Sequence, residues 1–96
     1  MNTTVNTGAW SERIVPNSDD LIFKIFEQSV GQLIGVKYTL VAYYQQVVNG
    51  MNYCFEVESK VVAPGAVKET KWAYIHVSID GVISPVPVEF KDHPPH

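Results

Sequence analysis

The sequence predicts an α+β domain in which one α-helix is wrapped by an antiparallel sheet of four to five strands. Apolar residues recur at spacings of three and four over residues 21–34, which is the period of a helix. From Val36 onward apolar and polar residues alternate, which is the period of a half-buried strand. Asn49-Gly50 and Pro64-Gly65 favour tight turns, so they are expected to separate successive strands.

Composition favours a single globular domain over residues 1–96. The hydrophobic fraction is 46% and the charged fraction 18%, values typical of a chain that buries a core. The formal net charge is −3 and the basic residues are scattered, which argues against nucleic acid or an anionic membrane as a partner. No apolar run is long enough to span a membrane and no secretory leader is visible, so we expect a cytoplasmic protein.

A polar arm, residues 1–16, precedes the helix and is expected to be mobile unless it docks. Asn17 or Ser18 is expected to cap the helix, with the two aspartates that follow in its first turn. Gly35 fits the position that ends it. The helical stripe consists of Leu21, Ile22, Ile25, Phe26, Val30, Leu33 and Ile34.

The first hairpin is expected to turn at Asn49-Gly50 through a loop of two or four residues. Either loop keeps one apolar row against the other, whereas a three-residue loop would set apolar residues against polar ones. The two rows are Leu40, Ala42 and Tyr44 on one strand and Tyr53, Phe55 and Val57 on the next. Cys54 lies on the opposite row and is expected to point outward.

A third strand is predicted over residues 72–79, with one apolar face. That face consists of Ala73, Ile75, Val77 and Ile79. An odd loop or a bulge must connect it to the second strand, because an even turn would bring Trp72 onto the face of Val57. The last strand contains two prolines, so it should be short and at an edge of the sheet. Residues 91–96 are expected to form a flexible tail.

No set of residues suggests catalysis, a metal or a cofactor. Glycine-rich phosphate loops, nucleophile elbows and paired cysteine motifs are absent from the sequence. His93 and His96 flank two prolines, and no second pair of metal ligands accompanies them. His76 is expected on the outer face of a strand as a surface residue, and Cys54 beside Glu56 has no feature that would lower its thiol pKa.

Two adjacent valines, Val47 and Val48, occupy the expected tip of the first hairpin. In one interpretation they simply end two strands, with Val48 folded onto the edge of the core. In the other they form an apolar wedge for a cleft in another protein. Burial of such groups contributes about 25 cal/mol per Å² before the costs of association are subtracted.

Three stretches resemble the cystatins, a family of inhibitors of papain-like cysteine proteases. "QVVNG" at residues 46–50 matches the Gln-x-Val-x-Gly motif of the family, and "MNYCFEV" resembles the strand that leaves that hairpin. "GAWSE" at residues 8–12 resembles the glycine-containing N-terminal trunk of the stefins and is followed by a proline and a single helix. The resemblance covers about residues 8–80 in family order, and the lone cysteine resembles the stefin branch.

The resemblance implies a cystatin-like fold and a three-part edge that fills the active-site cleft of a cathepsin-like protease without a covalent bond. Gly8 would let the trunk bend, Gln46 would anchor the strand end, and Gly50 would permit the turn. The second hairpin lacks the Pro-Trp pair of secreted members. The implied protease-binding residues are Gly8, Gln46, Val47, Val48, Asn49, Gly50, Gly81, Val82, Ile83, Ser84 and Pro85.

We therefore expect a reversible, competitive inhibitor of papain-like cysteine proteases. The alternative is a protein-interaction or self-assembly module of the same fold that does not inhibit proteases. An enzyme on this fold would need an acid or base in a deep pocket between helix and sheet, and the positions assigned to that face are apolar. The chain is expected to be a monomer that slowly forms a domain-swapped dimer by opening the first hairpin.

Overall fold

A computed structural model describes residues 8–33, 35–61, 63–81 and 88–96. In this part of the chain, one α-helix precedes an antiparallel sheet of four strands in the order β1-β2-β3-β4, as the change of period predicts. No helix among the described residues is long and apolar enough to cross a membrane. The elements are α1 (Ile22–Gln28), a 3-10 turn (Val30–Gln32), β1 (Val36–Val48), β2 (Gly50–Val61), β3 (Glu69–Val77) and β4 (Glu89–Lys91).

The start of α1 differs from the prediction. Asn17 and Asp20 close a turn of their own, in which the Asp20 N–H donates to the Asn17 carbonyl at 3.0 Å. The Asn17 N–H donates in return to Asp20 Oδ2 at 2.8 Å. The helix α1 begins only after Leu21 and has no side-chain cap, so capping by Asn17 or Ser18 was wrong, and the two aspartates precede its first turn.

The end of α1 also comes early. Ser29 turns its hydroxyl back onto the helix and donates to the Ile25 carbonyl at 2.7 Å. The Ile25 carbonyl oxygen thus accepts a hydrogen bond from a side chain. The three residues after Ser29 form the 3-10 turn and do not continue the α-helix. Gly35 follows that turn and does not cap α1. The apolar stripe therefore predicts which residues face the sheet but overestimates how far the α-helix extends.

The core lies between α1 and one face of the sheet, here called the helix face. The rings of Phe26 and Phe55 meet edge to face, with centroids 5.6 Å apart. The buried members are Ile22, Phe26, Val30, Leu40, Phe55, Val57, Ala73 and Ile75, with Tyr43, Tyr53, Val77 and Phe90 among the partly buried residues packed on them. The predicted alternation of β2 and most of that of β3 is confirmed.

The register of the first hairpin is odd, so the expectation of a two- or four-residue loop was wrong. Gln46 pairs with Asn52, and Val48 pairs with Gly50 across Asn49. The register shifts between Leu40 and Ala42, where β1 carries a bulge. A bulge reverses which face each later side chain points to, and the odd loop compensates for this reversal.

Beyond the bulge, the side chains of β1 exchange faces. Leu40 packs in the core on the helix face, but Ala42 and Tyr44 are buried without belonging to the core cluster. Tyr44 instead pairs with Cys54 on the opposite face, here called the outer face. The predicted apolar row of β1 is therefore split between the two faces.

The connection from β2 to β3 is odd, as predicted, because Phe55 pairs with Ala73 and Val57 pairs with Lys71. Ile79 was placed on the helix face by sequence, but it lies beyond the end of β3 and is 82% exposed. The last strand is short and at the edge of the sheet, as predicted, but it begins at Glu89, after the two prolines. Residues 82–87, which precede it, lie outside the described residues.

The outer face is covered by the arm and by the C-terminal residues. Trp10 packs edge to face on Tyr74 with centroids 5.7 Å apart, and the His96 ring lies 5.9 Å from that of Tyr44. The Tyr74 hydroxyl donates to the His93 carbonyl at 3.1 Å. Residues 91–96, expected to form a flexible tail, thus lie against the sheet because aromatic side chains there give them a surface to pack on.

Cys54 is fully buried beneath this outer-face cover. Its neighbours in the register are Tyr44 on β1 and Tyr74 on β3. Burial raises the pKa of the Cys54 thiol to about 11, since the thiolate would lose its hydration. The expectation that Cys54 points outward into solvent was wrong, because the polar arm and tail supply the cover that strand alternation alone does not show.

Candidate functional site

The N-terminal arm, residues 8–14, docks along the free edge of β1. The Gly8 N–H donates to the Val47 carbonyl at 3.1 Å. Further along, Ile14 and Tyr43 exchange two backbone hydrogen bonds of 2.9 Å each, as partners in an antiparallel ladder do. Between them, the Ser11 N–H donates to the Gln45 carbonyl at 2.8 Å, so the arm is fixed along β1, which is the docked alternative of the sequence prediction.

A bidentate ion pair ties the arm to the middle of the sheet. Arg13 Nε and Nη2 donate to the two carboxylate oxygens of Glu56 at 2.8 and 2.9 Å. The hydrogen bond and charge of Arg13 lower the pKa of Glu56, while burial of this carboxyl acts in the opposite direction. The same pair raises the pKa of Arg13. Two parallel bonds fix orientation as well as distance, so the Arg13 side chain holds the arm in a defined position beside β2.

The first hairpin ends in a sharp tip at Val48, Asn49 and Gly50. Gly50 has φ +106°, and a Cβ atom there would lie 2.4 Å from the Val77 carbonyl oxygen. Glycine is thus needed both for the turn and for the close approach of β3. Val47 is 40% exposed and Val48 is half-buried. The two valines therefore differ, since one offers its side chain to solvent and the other partly covers the sheet.

The third segment of the expected site begins where β3 ends. The Gly81 N–H donates to the Ser78 carbonyl at 2.9 Å, which closes a turn just beyond the strand. Ile79, at the crest of this turn, is 82% exposed. Val82, Ile83, Ser84 and Pro85 complete the sequence-predicted second hairpin and lie outside the described residues.

The register brings these three segments to one end of the sheet. Gly8 is bonded to Val47, Val47 pairs with Met51, and Met51 pairs with Val77 on β3. We call this end the sheet tip and define it as residues 8–9, 46–50 and 77–81. The structure therefore brings together the described residues that the sequence assigned to the site: Gly8, Gln46, Val47, Val48, Asn49, Gly50 and Gly81.

Asn52 and His76 extend the site beyond the residues that sequence reasoning identified. Gln46 Nε2 donates to the Gly8 carbonyl at 2.7 Å, and Asn52 Nδ2 donates to Gln46 Oε1 at 2.8 Å. His76 Nδ1 lies 2.7 Å from Asn52 Oδ1. His76 is exposed, as expected, but it is bonded within a row of polar groups. Only the correct register of the first hairpin would have placed these side chains side by side.

The described residues form no metal-binding cluster, and a cleft lies beside the start of α1. No group of three or more His, Cys, Asp and Glu residues within them could hold a metal ion. A cleft of about 320 Å³ lies where α1 begins, and its lining residues include Asp20, Tyr43 and Tyr53. Asp20 accepts the Asn17 N–H there.

No family model, curated protein or solved structure matches this chain. A function for this chain therefore rests on the geometry of the sheet tip and on the motifs it contains.

Proposed function

We propose that the protein is a reversible, competitive, non-covalent inhibitor of papain-like cysteine proteases, built on a cystatin-like fold and acting as a cytoplasmic monomer. One observation carries the proposal. The arm glycine, the "QVVNG" hairpin and the turn after β3 are distant in sequence but form one end of the sheet. A narrow, three-part edge of this kind has the shape required to enter a substrate cleft on both sides of a catalytic residue.

The chemistry of the sheet tip suits insertion into a cleft. Val47 and Ile79 expose apolar side chains that binding would bury. Asp80 is the one charged side chain in the residues that define the tip, and the Ser78 hydroxyl donates to its carboxylate. Insertion therefore desolvates few charges, which would otherwise offset the gain from apolar burial.

The closed hairpin explains why the protein would inhibit without being cleaved. Papain-like enzymes attack an extended backbone, whereas the ladder of β1 and β2 continues to the pair of Val48 and Gly50. The Val47 carbonyl already accepts the Gly8 N–H. Presenting this backbone as a substrate would require breaking those hydrogen bonds, so the tip occupies the cleft in a conformation unsuited to attack.

The direct experiment is titration of papain and several cathepsin-like enzymes with the pure protein. We expect competitive inhibition that is reversed by dilution, with the inhibitor intact by mass spectrometry after prolonged incubation. Turnover of the protein as a substrate, or no inhibition of any of these enzymes at micromolar excess, would contradict the proposal.

A second candidate function, an interaction or self-assembly module without inhibition, is favoured by one observation. Along the free edge of β1, the described arm makes its ladder contacts at residues 43–47. Residues 36–42 continue this edge beyond the arm, and such edges pair readily with other strands. Sedimentation of the native protein over a range of concentrations tests this candidate, which requires association without heating or denaturant.

A further inference from the structure

We propose that Asn52 and His76 are positioning residues that hold the arm at Gly8 through a directional chain of hydrogen bonds. Holding the arm in this way also sets how long the protein stays on its protease. The second statement rests on the proposed function, whereas the first can be tested on the protein alone.

The chain crosses three neighbouring strands at the same level. Gln46, Asn52 and His76 are successive partners in the register of β1, β2 and β3. Their side chains are joined at 2.8 Å between Gln46 Oε1 and Asn52 Nδ2 and at 2.7 Å between Asn52 Oδ1 and His76 Nδ1. The chain ends on the Gly8 carbonyl, which lies 2.7 Å from Gln46 Nε2. A residue of β3 is thereby connected to the arm without touching it.

The Gly8 carbonyl determines the direction of every bond in the chain. A carbonyl oxygen can only accept, so Gln46 must present its NH₂ group to Gly8 and its oxygen to Asn52. Asn52 must then use its NH₂ group towards Gln46, which leaves its oxygen for His76. His76 must finally donate from Nδ1. Each amide thus has one orientation in which all three hydrogen bonds exist, and the imidazole has its proton on Nδ1.

This constraint matters because Gly8 has few other contacts. An added Cβ at Gly8 would meet nothing within 4 Å, so no packed side chain confines this residue. Its φ of +94° is a conformation that glycine adopts freely together with many others. The hydrogen bonds to Val47 and Gln46 select one of them. An arm that already has this conformation before binding loses less conformational freedom on entering a cleft. This should appear as slower dissociation.

Asn52→Asp tests the direction of the chain with almost no change of shape. Both carboxylate oxygens accept, so Asp at this position still bonds His76 but cannot donate to Gln46. The Gln46 amide must then turn over, and its oxygen meets the Gly8 carbonyl. His76→Leu removes the final donor, whereas His76→Asn places an amide NH₂ near the position of Nδ1 and should restore the chain. His93→Leu is the matched control, because the His93 ring contacts the Pro94 carbonyl.

Amide hydrogen exchange at Gly8 reports directly how firmly the arm is held on β1. Loss of one hydrogen bond in the chain should speed exchange at Gly8 about tenfold in Asn52→Asp and His76→Leu. Exchange at Ala73 in the core should not change in either variant. Exchange at Gly8 in His76→Asn and in His93→Leu should match that of the unsubstituted protein. Nitrogen NMR of His93→Leu, which retains His76, should show the His76 ring protonated at Nδ1. Unchanged exchange at Gly8 in both disruptive variants, or a neutral His76 protonated at Nε2 alone, would overturn the inference.

The kinetics of inhibition test the second statement. Asn52→Asp and His76→Leu should dissociate from papain up to about tenfold faster with little change in association rate, and His76→Asn should recover the original rate. If exchange at Gly8 responds but dissociation does not, the role in inhibition is overturned while the role in holding the arm stands. If the unsubstituted protein does not inhibit, the proposed function fails, and exchange at Gly8 still decides the first statement.

Discussion

At the scale of single residues, Gly50 links the hairpin tip to the end of β3. Its φ of +106° strains any other residue, and a Cβ there would lie 2.4 Å from the Val77 carbonyl oxygen. Gly50→Ala should therefore lower the free energy of unfolding by about 2–3 kcal/mol, as measured by urea titration. Gly65→Ala is the matched control, because Gly65 has φ +77° but nothing within 4 Å of an added Cβ. Equal losses in the two variants would show that β3 does not approach the tip closely.

Val48 tests the apolar contact that the proposed function assigns to the same tip. Val48→Asp should weaken inhibition by about 2–4 kcal/mol, because binding would desolvate a charge at the centre of the contact. Val61→Asp serves as the control, since Val61 is 53% exposed at the opposite end of the same pair of strands. The inhibition constants of the three proteins against papain provide the comparison. Inhibition that survives Val48→Asp unchanged would remove the hairpin from the interface.

At the scale of elements, the arm is held to the sheet by Arg13 and Glu56. The pKa of Glu56 is lowered from 4.5 by Arg13, so the pair contributes stability above that pH. This stability is lost as the pH falls and Glu56 becomes protonated in the folded state. We expect Glu56→Gln to lose less stability than the unsubstituted protein between about pH 7 and about pH 3. Urea titrations at both pH values measure this difference.

Glu58→Gln provides the control for this experiment. Glu58 is an exposed carboxylate on the same strand as Glu56, but the hydrogen bonds of Arg13 go to Glu56. Its substitution should leave the acid loss of stability unchanged. An acid loss that is equal in all three proteins would mean that the arm is not held by this ion pair.

The first hairpin shows how far strand patterns determine structure. The position of the turn and the faces of β2 follow from Asn49-Gly50 and from alternation, and both are confirmed. The bulge after Leu40 could not be predicted, because Leu40, Val41 and Ala42 are all apolar and no polar residue marks the change of face. The resulting error placed Gln46 opposite Tyr53 or Met51, depending on the loop length, rather than opposite Asn52. The hydrogen-bond chain to Gly8 was therefore hidden from sequence reasoning.

At the scale of the whole molecule, burial of the outer face depends on segments with no regular pattern. Tyr44, Cys54 and Tyr74 are neighbours on the outer face, whereas alternation assigns Tyr44 to the helix face and the other two to solvent. The arm and the residues after β4 cover the outer face through Trp10 and His96. Such cover depends on where chain ends lie in three dimensions, which a local period does not contain. The sequence thus predicts the helix face of the sheet well and the outer face poorly.

The whole molecule is also the scale of the expected dimer. β1 and β2 are joined at Asn49 alone, so opening the hairpin would let two chains exchange halves and recover every contact except those of the tip. The described non-glycine residues have no positive φ, so Val47 and Val48 hold no backbone strain of that kind that opening would release. We expect a dimer to form slowly after heating or mild denaturation and to lose inhibition, because the tip becomes a straight strand.

Size-exclusion chromatography with inhibition assayed on each peak checks this prediction. The buried Cys54 thiol should play no part, so reductant should leave the dimer unchanged, and oxidation of the native monomer should produce no dimer. A dimer that inhibits at full strength would contradict the expected opening of the hairpin. A dimer that dissociates on addition of reductant would contradict the burial of Cys54.

If the proposed function is correct, the sheet tip is the surface that contacts the protease. Amide hydrogen exchange of the protein, with and without papain whose catalytic cysteine is chemically blocked, tests this contact. We expect slower exchange on complex formation at residues 8–10, 46–52 and 77–81. We expect no change at Lys37 and Lys60, which pair at the opposite end of β1 and β2. Protection confined to that opposite end, or a complex without protection at the tip, would contradict contact through the sheet tip.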